Sequence, residues 1–363
     1  MKKRIRPLPS VLLSVAGLLW ALPAGGQMTY YNADAFPLFG KVSAQTETRY
    51  ERLPAALRDV SRQPVWELGK NTAGLYLRFR TNSTAIELKW TLYKNRIMSH
   101  MAFVGVKGFD LYCYENGEWR FVNAAQPNNA MDNAATLIDH MDDSEKEMML
   151  YFPLYDGITS LQIGIDSTAT IAPPQKAVPA DDRPVVCYGT SILQGGCASR
   201  PGMAHTNILA RRFNRTFINL GFSGHAQLDY EIAELIAGSN ASLIILDFVP
   251  NASVEQMQEK MERFYTIIRA KHPDTPILFI EDPPFPKGRY NRSLRQEVDA
   301  KNATFRLLFE RLKSHDDHID LIASEPMIGD DNEATVDGIH FTDLGFMRYA
   351  DYLYPILKPY IDN

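Results

Sequence analysis

The chain has 363 residues, enough for two domains, and its 45% hydrophobic and 22% charged content is that of a globular protein. A formal net charge of −5 excludes the electrostatic footprint of a nucleic-acid binder and a basic patch for anionic membranes. Three cysteines are too few for a disulfide scaffold.

The chain opens with a basic stretch, "MKKRIRPLPS", followed by the apolar "VLLSVAGLLWALPA" and the small residues Ala24, Gly25 and Gly26. That is the layout of a secretory signal peptide, predicted over residues 1–26, with cleavage between Ala24 and Gln27. The apolar run, at about 14 residues, is too short to span a bilayer comfortably, and no later run reaches about 18. The released chain is therefore expected to have no membrane span.

Residues 27–171 are predicted to form an all-β domain. "GLYLRFRTNSTAIELKWTLY" alternates apolar and polar residues around an Asn-Ser turn. "MAFVGVKGFDLYCYENGEWRFVNA" contains two strands joined at Glu115–Glu118, a hairpin signal, and "EMMLYFPLYDGITSLQIGID" repeats the pattern. Regular strands without long amphipathic helices predict a β-sandwich or jelly roll. "TIAPPQKAVPADDRP" then carries four prolines and no period, so residues 172–183 read as an extended linker.

From residue 184 to 363 the texture changes. "PVVCY", "TFINLG", "SLIILDF", "PILFIEDP" and "IDLIA" are short apolar runs, as expected of strands covered on both faces. Each is followed by a helical stretch, which predicts a three-layer α/β/α, flavodoxin-like domain with a parallel sheet. Chemistry in such a sheet belongs at the C-terminal ends of the strands.

The first strand stops at Gly189-Thr190-Ser191, which makes Ser191 either a helix cap or a nucleophile. Acyl transfer needs a nucleophile, a base and donors for an oxyanion. His340 is the only histidine in the last strand-to-helix loop, and Asp337 lies close enough to orient its ring. Oxyanion donors are available at the Ser191 backbone N–H, the Gly224 N–H in "FSGHA" and the Asn251 side-chain amide. His205 and His225 are pocket or packing residues on this reading, and Asp247 is structural. Glu281 and Asp282 are adjacent carboxylates, but neighbours in a strand point to opposite faces and fit poorly as a converging acid–base pair. Cys187 and Cys197 flank the Ser191 loop, as two independent thiols or as a disulfide strapping it. No Cys or His spacing resembles a zinc site, so neither metal nor organic cofactor is expected.

Ser191, Gly224, Asn251 and His340, in this order, resemble the SGNH, or GDSL-type, hydrolases. "GTSI" stands at that family's Gly-Asp-Ser position, "NLGFSG" at its glycine block and "DGIHFTDLG" at its Asp-x-x-His block. "GFDLY", Gly108–Tyr112, resembles the Gly-x-Asp-Leu-Tyr β domain found ahead of one SGNH subgroup. Two departures stand out. Thr190 replaces the family's Asp, read as loop scaffolding, and "FVPNAS" lacks the Gly and second Asp of the Gly-x-Asn-Asp block.

The resemblance implies a serine esterase working through an acyl-enzyme. An exported enzyme of this kind with an added β domain is expected to remove O-acetyl groups from polysaccharides or oligosaccharides. A lipid or phospholipid acylhydrolase, a non-catalytic carbohydrate-binding protein, and a hydrolase using Cys187 or Cys197 as nucleophile are the alternatives.

Overall fold

The computed structural model describes residues 27–175 and 183–362. The expected signal segment, 1–26, and residues 176–182 of the expected linker lie outside the described residues.

The first part contains strands β1 (Met28–Asn32), β2 (Leu38–Phe39), β3 (Tyr76–Thr81), β4 (Ile86–Leu92), β5 (Phe109–Glu115), β6 (Glu118–Ala125), β7 (Asp132–Ile138), β8 (Lys146–Tyr151), β9 (Ile158–Asp166) and β10 (Ile171–Ala172). Two short helices, α1 (Gln63–Gly69) and α2 (Phe103–Lys107), interrupt them. One antiparallel sheet has the order β1-β9-β4-β7; the other runs β10-β3-β8-β5-β6, with β2 beside β3. Period-2 alternation places Leu77 and Phe79 of one sheet, and Ile86, Leu88 and Trp90 of the other, in the shared core. β5 and β6 pair directly across Glu115–Glu118, as the hairpin signal predicted.

β3 and β4 do not pair with each other, although an alternating pattern runs through both. The carboxylate of Asp166 anchors the turn between them. It accepts from the Ser83 and Thr84 hydroxyls at 2.9 and 2.7 Å and from the Thr84 N–H at 2.8 Å. The chain is held there as it crosses from one sheet to the other.

The second part has a five-stranded parallel sheet: β11 (Val185–Gly189), β12 (Phe217–Gly221), β13 (Leu243–Asp247), β14 (Ile277–Ile280) and β15 (Ile319–Ile322), in the order β12-β11-β13-β14-β15. Its helices are α3 (Ser191–Gln194), α4 (His205–Phe213), α5 (Tyr230–Ala237), α6 (Val254–Arg269), α7 (Arg292–Lys313) and α8 (Asp343–Ile361). Cys187, Ile245 and Leu278 face α4 and α8, while Val186, Ile244 and Phe279 face α5, α6 and α7. Alternate strand residues thus build two cores, giving three layers. The strand order reverses at β11, so the crevice at its C-terminal end is the natural ligand site of such a sheet. Among the described residues no helix is long and apolar enough to cross a membrane.

The "GFDLY" stretch lies at the joint between the two parts. Asp110 is fully buried; it pairs with Arg200 at 2.7 Å and accepts from the Gly202 N–H at 2.8 Å. The Tyr112 hydroxyl accepts from Arg200 at 2.7 Å. A Cβ on Gly202 would stand 2.2 Å from that hydroxyl, so the close approach requires glycine.

Arg52 makes a second tie. Its guanidinium donates to the carbonyls of Leu68 and Asn71, and across the joint to those of Asn219 and Gly221, at 2.7–2.9 Å. No carboxylate pairs with it among the described residues, and burial lowers its pKa to about 9, so it stays cationic near neutrality. Arg52→Met would orphan these carbonyls at the base of the Gly221–Gly224 loop. It should cost about 3 kcal/mol or more, read as a lower denaturation midpoint.

Candidate active site

The strand ends bring the predicted site residues together. β11 stops at Gly189, where a Cβ would meet the Asp247 carbonyl at 2.5 Å. Thr190 then caps α3, its hydroxyl accepting from the Ile192 N–H at 3.3 Å. A short-chain oxygen at this position performs the scaffolding expected of an Asp. Ser191 is the first residue of α3, so its N–H has no intrahelical acceptor.

In the last loop the Asp337 Oδ1 accepts from the Ile339 and His340 N–H groups at 3.0 and 2.8 Å. Its Oδ2 lies 2.8 Å from His340 Nδ1, and His340 Nε2 lies 3.0 Å from the Ser191 Oγ. A carboxylate at Nδ1 sets the tautomer: Nδ1–H donates to Asp337, leaving Nε2 to accept the Ser191 proton. Burial alone would raise the Asp337 pKa. The His340 ring and the two backbone donors outweigh it and bring it down to about 2.

Gly224 has φ +73°, in the turn closed by His225 N–H to Phe222 O at 2.8 Å. No atom lies within 4 Å of a Cβ built there, so the backbone conformation, not space, calls for glycine. Asn251 turns its Oδ1 toward the Ala226 N–H at 3.4 Å, which leaves its NH₂ as the free end. Among the described residues neither the Ser191 N–H nor the Gly224 N–H has an acceptor. Ser191, Gly224, Asn251 and His340 line one cleft of about 380 Å³, together with Phe285, Leu294 and Asp282.

Several supporting residues lie beyond what the sequence reading found. Gln194 is fully buried; its Oε1 accepts from the Ser223 N–H at 3.0 Å, and its Nε2 donates to Asn71 Oδ1 and the Leu154 carbonyl, both at 3.1 Å. The Tyr155 hydroxyl donates to the Ser191 carbonyl at 3.1 Å. Lys301 Nζ donates to the Pro250 carbonyl at 3.2 Å, just ahead of Asn251. His100 reaches over from the β-rich part, its ring 5.6 Å from that of His340. The His100 loop is held by Asp156, which accepts from the Lys94 and Arg96 N–H groups at 2.9 and 2.6 Å. No motif surrounds His100, and only the fold brings it to His340.

The other candidates separate. His205 is buried behind the sheet end against Phe346 and Tyr349, and burial pushes its pKa down to about 3. His225 lies against Arg62, and burial, then that cation, lower its pKa. Glu281 pairs with Arg306 while Asp282 faces the cleft, so the adjacent carboxylates diverge. Asp247 is buried and its pKa is raised well above the usual range, first by burial and then by Asp282. Cys187 and Cys197 are free thiols, with no disulfide between them. Burial raises both, Cys197 to about 12 with help from Asp337, which disfavours a thiolate nucleophile.

Residues 182–358 match a family described as GDSL-like lipases/acylhydrolases, and residues 28–171 match one described as the N-terminus of SGNH-hydro-type esterases. A protein described as a GDSL-like lipase from Bacteroides ovatus is 36% identical, with a TM-score of 0.89 over 93% of this chain and 98% of its own. Salicylyl-acyltransferase SsfX3 from a tetracycline biosynthetic pathway has a TM-score of 0.73 at 17% identity, covering 90% of this chain and 95% of its own. A family two carbohydrate esterase from Cellvibrio japonicus has a TM-score of 0.58 at 12% identity, covering 93% and 99%. No curated protein matches the chain.

Proposed function

The chain belongs to the GDSL-like lipase/acylhydrolase family and is a carboxylic ester hydrolase of the SGNH type, and from that premise we propose that it is an exported serine esterase removing O-acetyl groups from polysaccharides or oligosaccharides. The observation that carries the catalytic assignment is the unbroken hydrogen-bond chain Asp337–His340–Ser191. Ser191 Oγ attacks the ester carbonyl as His340 Nε2 takes its proton. The oxyanion is received by the Ser191 and Gly224 N–H groups and the Asn251 amide. His340 then gives the proton to the leaving alcohol, and water, activated by the same ring, releases the acid from the acyl-enzyme.

Three features support the glycan part. The basic, apolar and small-residue order at the start of the chain fits export. A second cleft of about 470 Å³ shares Phe285 and Val298 with the first, which leaves room for a long substrate beside the nucleophile. The fold is also that of the Cellvibrio japonicus carbohydrate esterase.

The test is acetate release from acetylated xylan compared with fatty-acid release from a phospholipid, with fluorophosphonate labelling as the count of active nucleophile. Labelling with acetate release supports the proposal. Labelling with fatty-acid release alone points to the lipid reading, and absence of labelling removes the serine mechanism.

Asn251→Ala should lower kcat by about 10²-fold, because one donor to the developing charge is lost. A change confined to KM would make Asn251 a substrate-binding residue instead.

A further inference from the structure

Asp282 follows β14 and lines the cleft that holds Ser191 and His340. It is 1% exposed, and no donor reaches its carboxylate among the described residues; Oδ1 is enclosed and unpartnered. Its main chain is clamped, with the Asp282 N–H donating to Asn302 Oδ1 and Asn302 Nδ2 donating to the Asp282 carbonyl, both at 2.9 Å. The main chain is therefore fixed where the buried carboxyl lines the cleft. Burial raises its pKa to about 7, Lys301 pulling down and Glu297 pushing up.

Buried carboxyls without partners are rare, because desolvation is then uncompensated. One that lines a catalytic cleft calls for a ligand carrying a donor. Lys301 narrows the choice. Its ammonium lines the same cleft, bound to Glu297 at 2.8 Å and to the Pro250 carbonyl at 3.2 Å. Glu297 lines the same cleft and offsets that charge, so the fitting group is one that both donates to a carboxyl and accepts from an ammonium. A hydroxyl is neutral, donates to a carboxylate and accepts from an ammonium. Phe285, Leu294 and Ile339 add apolar surface for the C–H faces of a polyol.

We propose that Asp282 and Lys301 form a hydroxyl-reading subsite that receives the alcohol half of the ester and selects polyhydroxylated alcohols over plain ones. This rests on the esterase reading above and specifies which wall of the cleft recognises the sugar.

The test compares two acetate esters of a three-carbon alcohol, glycerol 1-monoacetate and n-propyl acetate, which differ only in hydroxyls. The wild-type ratio of kcat/KM should favour the glycerol ester by about 10-fold or more, since a site built to bond hydroxyls discriminates against an analogue lacking them. Asp282→Ala should bring that ratio close to one. Asp282→Asn, which keeps the volume and an acceptor, should give an intermediate ratio and guards against a variant that does not fold. A ratio unchanged in both variants overturns the subsite, whether the two rates fall together or not at all. A wild-type ratio near one also overturns it and leaves the esterase standing. Preference for the glycerol ester without acetate release from acetylated xylan keeps the subsite and removes the glycan substrate.

Discussion

Replacing Ser191 with Ala should lower turnover of p-nitrophenyl acetate by about 10³-fold or more and abolish fluorophosphonate labelling. The folded structure should be unaffected. Among the described residues the hydroxyl's one side-chain hydrogen bond is with His340, and Ala suits the first position of α3. The Gly224 turn and Gln194 keep their bonds, so the oxyanion donors stay in place. They should sustain a residual rate above that in water, as donors and binding do when a triad member is removed. The cysteines provide no substitute, since burial keeps Cys187 and Cys197 protonated at neutral pH. Near wild-type turnover in the Ala variant, at an unchanged melting midpoint, would end the assignment of Ser191 as nucleophile.

What was legible in the sequence follows from the range of the forces involved. The parallel strands were readable because they are covered on both faces, so their apolar runs need no partner to be recognised. Asp337 and His340 were readable for a local reason: a three-residue spacing lets one carboxylate bind the ring and its own loop's N–H groups. β3 and β4 were readable as strands but not as members of different sheets. The turn where they part is anchored by Asp166, more than 80 residues on, and no local pattern encodes that contact. Arg52, Gln194 and His100 were silent for the same reason. Each acts across the joint between the two parts, on backbone or a ring that only the fold brings near. The "GFDLY" stretch was recognisable as a pattern, yet its role in holding Arg200 and Gly202 emerges only from the packing.

The second large effect concerns the pH profile of kcat/KM and separates the roles of His340 and Asp337. The neutral imidazole is the active base, so activity should rise with pH as His340 loses its proton. Asp337 is not the source of that limb. Its folded pKa is depressed to about 2, so its charge is present above that value and is lost only as pH falls through it. Asp337→Asn keeps an Oδ1 acceptor for the Ile339 and His340 N–H groups, so the loop should hold its shape. What changes is the group opposite Nδ1. An amide NH₂ there favours the tautomer with its proton on Nε2, which can no longer accept from Ser191. Turnover should fall by about 10³- to 10⁴-fold. His340→Ala should abolish the limb altogether. If His340→Ala instead kept a rising limb, the structure names the group to test next. His205 is walled off behind the sheet end and His225 lies against Arg62, whereas the His100 ring stands 5.6 Å from that of His340. Loss of that limb in the His100→Ala, His340→Ala double variant would transfer the base assignment to His100.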